Sequence, residues 1–166
     1  MSSNYKIDNL DLKILDILQK DSRKSFQEIA RDLVVSGGTI HVRVNKLKEK
    51  GIIKGSKLII DYSNLGFKVN SFIGINLHSA KDTKEVTKKL NMYPEVIEVH
   101  ETTGKYSLFI KILTTDIESL HRFIVESIHG IPEIQSTETI ISLSSPLNRE
   151  IQLASIKADY GEEEEE

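Results

Sequence analysis

Between Ser36 and Gly51 the apolar residues recur at helical spacing. Ile40, Val44 and Leu47 fall on one side, Thr39, Val42 and Lys46 on the other, and Arg43 at the boundary. Ser36 is placed to cap the helix start, Gly51 sits where a left-handed glycine closes a helix, and Lys46, Lys48 and Lys50 suit the C-terminal end of the dipole. Upstream, Asp8 caps a helix whose apolar stripe is Leu10, Ile14, Ile17 and Leu18, widened by Leu12 and Leu15 and ending near 21–24. Ser25-Phe26-Gln27-Glu28 matches a capping box, and Phe26, Ile29, Ala30 and Leu33 form the buried face of the helix it starts. Only Val34 and Val35 separate that helix from Ser36, so the two cross steeply. A helix, a tight turn and a cationic helix form a helix-turn-helix.

After Gly51 the period shortens. Ile52-Ile53 and Leu58 to Ile60 read as two short strands around Lys54-Gly55-Ser56-Lys57, a small hairpin, or wing, with lysines placed to meet phosphate. Residues 62–66 are polar and turn-prone and read as a linker. Beyond them come a strand over 69–78, a helix over 82–91 stopped by Pro94, strands over 96–103 and 106–113, a helix from Asp116 closed by Gly130 and Pro132, and a strand over 134–143. That order, βαββαβ, is the ferredoxin-like split repeat. The expected fold is therefore α+β, an N-terminal winged helix-turn-helix followed by a ferredoxin-like βαββαβ domain. The divisions are 1–61, 62–66 and 67–159, with an acidic tail at 160–166. Leu108, Ile110 and Ile112 alternate with Phe109 and Leu113, which makes both sheet faces apolar. The helices cover one face, so a second copy of the chain is the natural cover for the other.

Composition sharpens this picture at one place. The 166 residues carry a formal net charge of −3, yet residues 1–62 hold 12 positive and 8 negative side chains. Between Ser36 and Lys57 six cations face the single anion Glu49, a local basic patch that suits a polyanion. Cys is absent, which excludes a disulfide framework, a thiol nucleophile and cysteine-ligated zinc and fits a reducing interior. No run approaches the roughly 20 apolar residues of a membrane-spanning helix, and the start lacks the apolar core of a secretory signal.

Double-stranded DNA is the expected partner of the first domain. Arg43, Lys46, Lys54 and Lys57 are the phosphate candidates, while Gly38, Thr39, His41 and Val42 lie near the helix start where base edges are read, behind Ser36. His78, His100, His121 and His129 lack ligand-like pairing, so no metal is expected. Glu98 and Glu101 have no nucleophile or enclosed pocket that would make them an acid–base pair, so neither catalysis nor a cofactor is expected.

These features resemble the Lrp/AsnC (feast/famine) family of transcription regulators. Ser36, Arg43-Val44, Leu47 and Gly51-Ile52-Ile53 match its helix-turn-helix pattern. GTIHVRV (Gly38 to Val44), FIGINLHSAKD (Phe72 to Asp82), TTGKYSLFIK (Thr102 to Lys111) and EIQSTET (Glu133 to Thr139) resemble its asparagine-responsive branch, and the likeness covers nearly the whole chain apart from its termini. The resemblance implies a cytoplasmic regulator that reads particular DNA sequences, an assembly of dimers such as an octamer, and an amino-acid effector held between subunits. Many relatives carry aspartate in a Gly-x-x-Asp turn. Here Gly104-Lys105-Tyr106-Ser107 ends in serine, which departs from a leucine-type site and agrees with asparagine. Thr103 and Gly104 offer backbone amides, Tyr106, Ser107 and Ser136 hydroxyls, and Gln135 a carboxamide that pairs in both directions. Two other classes share parts of the pattern. A nucleoid-like architectural protein shares the DNA binding but needs no effector, and an amino-acid-sensing module of a metabolic enzyme shares only the second domain.

Overall fold

The computed structural model describes residues 6–155. The expected acidic tail at 160–166 lies outside them. The chain forms two compact units, and in described residues these are 6–58 with 148–155, and 59–147. Residues 148–155, expected in the second domain, return to the first. There the 3-10 turn Leu153–Ser155 lies against the first helix, an association between distant segments that local periodicity does not encode.

The first unit is built on three helices, α1 (Asn9–Lys20), α2 (Phe26–Leu33) and α3 (Gly37–Glu49). Each begins where a side chain satisfies orphan amides. Asp8 and Asp11 form a reciprocal capping box at α1, Ser25 and Glu28 another at α2, and the Ser36 hydroxyl accepts from the Thr39 amide at α3. The core joins Ile14, Ile29, Ala30, Ile40 and Val44, with Leu10, Ile17, Leu18, Phe26, Leu33, Val35 and Ile53 packed around them. Two left-handed residues shape the turns: Gly51 (φ 69°) after α3, and Val34 (φ 56°) between α2 and α3. A β-branched residue is strained in that conformation, and this one is 90% exposed.

The wing differs from expectation. Residues 52–60 form no strand, and 52–53 do not pair with 58–60. The amides of Ile52 and Ile53 instead donate to the Leu47 carbonyl, at 3.0 and 3.2 Å, and close α3. That diverts donors from the ladder, and segments of two and three residues are too short to hold a hairpin unaided.

The second unit is a four-stranded antiparallel sheet in the order β2-β3-β1-β4, with β1 at Val69–Leu77, β2 at Val96–Glu101, β3 at Leu108–Thr114 and β4 at Ile134–Ile141. Helices α4 (Thr83–Leu90) and α5 (Ile117–Arg122), the latter continued by a π turn over Phe123–Ile128, cover one face. Ile73, Ile75, Leu77, Leu108, Ile110 and Ile112 from the strands meet Val86, Leu90, Leu120, Phe123 and Ile128 from the helices. The opposite face carries a row of rings. Phe72 stacks on Phe109 with centroids 5.6 Å apart, and Tyr106 lies 6.0 Å from Phe109. Gly74 makes room for that row, because a Cβ there would stand 2.6 Å from the Tyr106 ring.

Candidate nucleic-acid interface and effector groove

The residues named as DNA candidates are positioned by the two-sided character of α3. Ile40, Val44 and Leu47 are buried, which turns Thr39, Val42 and Lys46 outward. An open groove of about 460 Å³ runs along that outer side, lined by Lys6, Asp8, Gly38, Thr39, Val42, Arg43 and Lys46. Five of the residues named from the sequence thus come together, and Lys6 and Asp8 join them. Those two lie upstream of α1, and no helical periodicity around α3 points to them.

Within the groove the candidates differ in what they have to offer. The Ser36 hydroxyl is occupied as the cap, 3.0 Å from the Thr39 amide and 2.8 Å from the Thr39 hydroxyl. Val42 is half exposed, an apolar side chain suited to a thymine methyl group. His41 lies outside the groove, its ring edge-on to Phe26 at 5.8 Å. Lys54 and Lys57 lie in the wing segment and are exposed. Arg43 is engaged already, its Nη1 donating to Asp8 Oδ2 at 2.6 Å and to Asp11 Oδ1 at 2.9 Å. Partial burial acts against the charged guanidinium, but the two carboxylates outweigh it and hold its pKa above the ordinary arginine value. Partial burial likewise raises the Asp8 pKa, but the Asp11 amide and the guanidinium outweigh it and bring it below the usual range.

A second groove, of about 300 Å³, lies where β2 turns into β3. Thr103, Gly104, Tyr106 and Ser107, four of the six effector candidates, line it with Ala80, Thr83, Glu101, Thr102 and Lys105. Hydrogen bonds fix the loop, among them the Thr102 amide to the Ser107 carbonyl and the Leu77 amide to the Ser107 hydroxyl, both at 3.3 Å. The Thr102 hydroxyl donates to the Tyr106 carbonyl at 2.6 Å, and the Ser107 amide donates to the Ile75 carbonyl at 2.9 Å. The amides of Thr103 and Gly104 find no acceptor among the described residues, an arrangement that suits a carboxylate. Tyr106 donates its phenol to Glu138 at 2.7 Å, and Lys105 pairs with the same carboxylate. Those contacts, Lys105 first, keep the Glu138 carboxyl below its ordinary pKa. Gln135 and Ser136 do not line this groove in the single chain. Both stand on β4, where Ser136 accepts from the Asn76 amide at 3.1 Å.

Elsewhere, His100 and Lys111 flank Glu98 at 3.1 and 3.0 Å, and these contacts, His100 first, lower the Glu98 pKa as a surface ion-pair cluster would. Among the described residues no three potential ligands converge as a metal site, and no helix is long and apolar enough to cross a membrane.

A three-helix unit with a cationic outer groove, joined to a split βαββαβ unit with an amide-rich loop, defines a DNA-binding transcription regulator that responds to an amino acid. Residues 7–54 match the family profile described as winged helix-turn-helix DNA-binding, and residues 70–151 match the Lrp/AsnC ligand binding domain. The regulatory protein AsnC of Haemophilus influenzae is 52% identical over 147 residues, which span 89% of this chain and 98% of that protein. AsnC of Escherichia coli K12 is 47% identical over 148 residues, spanning 89% and 97%. The solved structure of E. coli AsnC superposes with a TM-score of 0.85 at 45% identity, covering 89% of this chain and 99% of that one. The chain belongs to the Lrp/AsnC family of regulators, which act by binding DNA and not as enzymes. Homo-oligomerisation is typical of that family.

Proposed function

We propose that the effector of this regulator is asparagine. Its α-carboxylate meets the amides of Thr103 and Gly104, while Tyr106 and Ser107 line the same groove. The observation that carries this reading is the pair of unpartnered amides beside Ser107, which stands where a leucine-type site has an acid. The groove is open on one side, and Gln135 and Ser136 of a second copy complete it. The carboxamide of Gln135 suits the carboxamide of asparagine, since each offers one donor group and one acceptor. The similarity to proteins named AsnC supports the assignment.

In this reading residues 6–58 form the DNA-binding unit and 59–147 the effector-binding and assembly unit, in the cytoplasm. The ring-bearing sheet face joins two copies, and dimers assemble further to an octamer. Gly38, Thr39, His41 and Val42 meet base edges behind the capped start at Ser36, with Lys46, Lys54 and Lys57 on phosphates. Isothermal calorimetry of the full chain against asparagine, glutamine and leucine tests the effector. Asparagine should bind most tightly, and heat from leucine alone, or from none of the three, would refute the assignment.

A further inference from the structure

Arg43 stands apart from the other cations of the interface because its guanidinium completes a second structure, the start of α1. Asp8 Oδ1 accepts the Asp11 amide at 2.9 Å, and Asp11 Oδ2 accepts the Asp8 amide at 3.2 Å. The two remaining carboxylate oxygens both accept from Arg43 Nη1. One guanidinium therefore closes a capping box that lies 32 and 35 positions away in the chain. Asp11 is completely buried, so a guanidinium that left for a phosphate would take a positive charge away from a carboxylate held out of water. A phosphate would also have to compete with two carboxylates that already hold the guanidinium at 2.6 and 2.9 Å.

We infer that Arg43 is a positioning residue, which locks α3 onto the capped start of α1 and so fixes how Gly38, Thr39 and Val42 meet base edges. Its change should degrade sequence discrimination rather than general attraction to DNA. Phosphate neutralisation falls to the lysines. The inference rests on the DNA-reading role of α3 and adds to it the device that orients that helix.

Two variants of the full chain separate positioning from phosphate contact. Asp8→Asn keeps the cap, since asparagine caps helices as well as aspartate, but removes one carboxylate from Arg43. Arg43→Lys keeps the charge but loses the planar fork that bridges two acids. Affinity is measured across a salt series for a duplex enriched by the wild-type chain from a random-sequence pool, and for sonicated bulk genomic DNA. Positioning requires the ratio of the two affinities to fall by about fivefold or more in both variants, as expected for a lost charged hydrogen bond, with the bulk salt slope unchanged. A phosphate-clamping Arg43 would instead be released by Asp8→Asn, giving tighter binding to both DNAs and a bulk slope steeper by about 0.9. That result, or a ratio that stays within about twofold of wild type, overturns the inference. If Arg43→Lys does not fold, Asp8→Asn decides alone. A pool in which no sequence is enriched refutes sequence reading by α3 itself, and the inference falls with it.

Discussion

Gly37 and Gly38 open the recognition helix, yet the free protein has no use for either as glycine. Neither has a positive φ, and a Cβ would come no closer than 4.0 Å to Gln27 at Gly37 and 3.7 Å to the Ser36 hydroxyl at Gly38. Glycine in a helix costs up to about 1 kcal/mol relative to alanine, so the pair is a loss that the fold does not recover. In the proposed reading the recovery lies outside the chain, where a bare backbone at the helix start would let DNA approach closely. Gly38→Ala should therefore stabilise the free protein by roughly 0.5–1 kcal/mol in denaturant unfolding. The same variant should lose several-fold in DNA affinity by fluorescence anisotropy. A more stable variant with full affinity would refute the close approach. Val34 strains its backbone for a reason within the chain: it is the left-handed cap of α2, where its own amide donates to the Arg31 carbonyl at 3.3 Å and the Val35 amide to the Ala30 carbonyl at 2.9 Å, which closes the helix and turns the chain into α3.

At the level of elements, helix starts were the most legible features, because a cap is a local pattern of four residues. Asp8, Ser25, Ser36 and Asp116 all cap as their spacing predicted. Three of these starts titrate. Partial burial raises the Asp8 pKa, but the Asp11 amide and Arg43 outweigh it and bring the net below its ordinary value. Glu28 is lowered by the Ser25 hydroxyl and amide, and Asp116 by the Ser119 amide and hydroxyl. A depressed carboxyl adds stability that is complete above its unfolded pKa and disappears as pH falls through the folded one. The helical signal in circular dichroism should thus hold from pH 7 to about pH 4.5 and fall only below about pH 4, where the unfolded carboxyl range begins. Helix loss centred near pH 6 would contradict this assignment of the caps. Strands β1 and β3 were legible for a similar reason, since their period-2 alternation is local. The wing was not, because pairing between 52–53 and 58–60 depends on donors that α3 takes for its own closure. Arg43 was legible as a boundary cation and a phosphate candidate, not as a partner of α1. Its acids lie on α1 and its cap, and periodicity on one helix carries no information about charges on another. The loop over 102–107 was found by resemblance, while the tie from Lys105 and Tyr106 to Glu138 spans more than 30 residues and left no local trace.

The whole molecule has to solve a problem that α3 poses. In the proposed reading Gly38, Thr39 and Val42 reach few base pairs, and each good contact discriminates by about 1–3 kcal/mol, too little for one copy to pick a site from a genome. Specificity then depends on repetition at fixed spacing, which in the proposed assembly the sheet would provide by joining copies. Phe72, Phe109 and Tyr106 form one stacked row on the face without helices, and Ile140 beside Phe72 on the next strand is 44% exposed. A charge set into the middle of that row would be buried without a partner whenever two copies met. Phe109→Glu leaves the helix-covered core untouched, because Phe109 points away from Leu108 and Ile110. It should give a folded monomer in sedimentation velocity at concentrations where the wild type is assembled. Its affinity for the enriched duplex should drop by orders of magnitude while bulk DNA binding weakens far less, since one copy keeps its lysines but loses its fixed-distance neighbours. A variant that stays assembled would place the interface elsewhere. A monomer that still discriminates fully would show that a single α3 suffices.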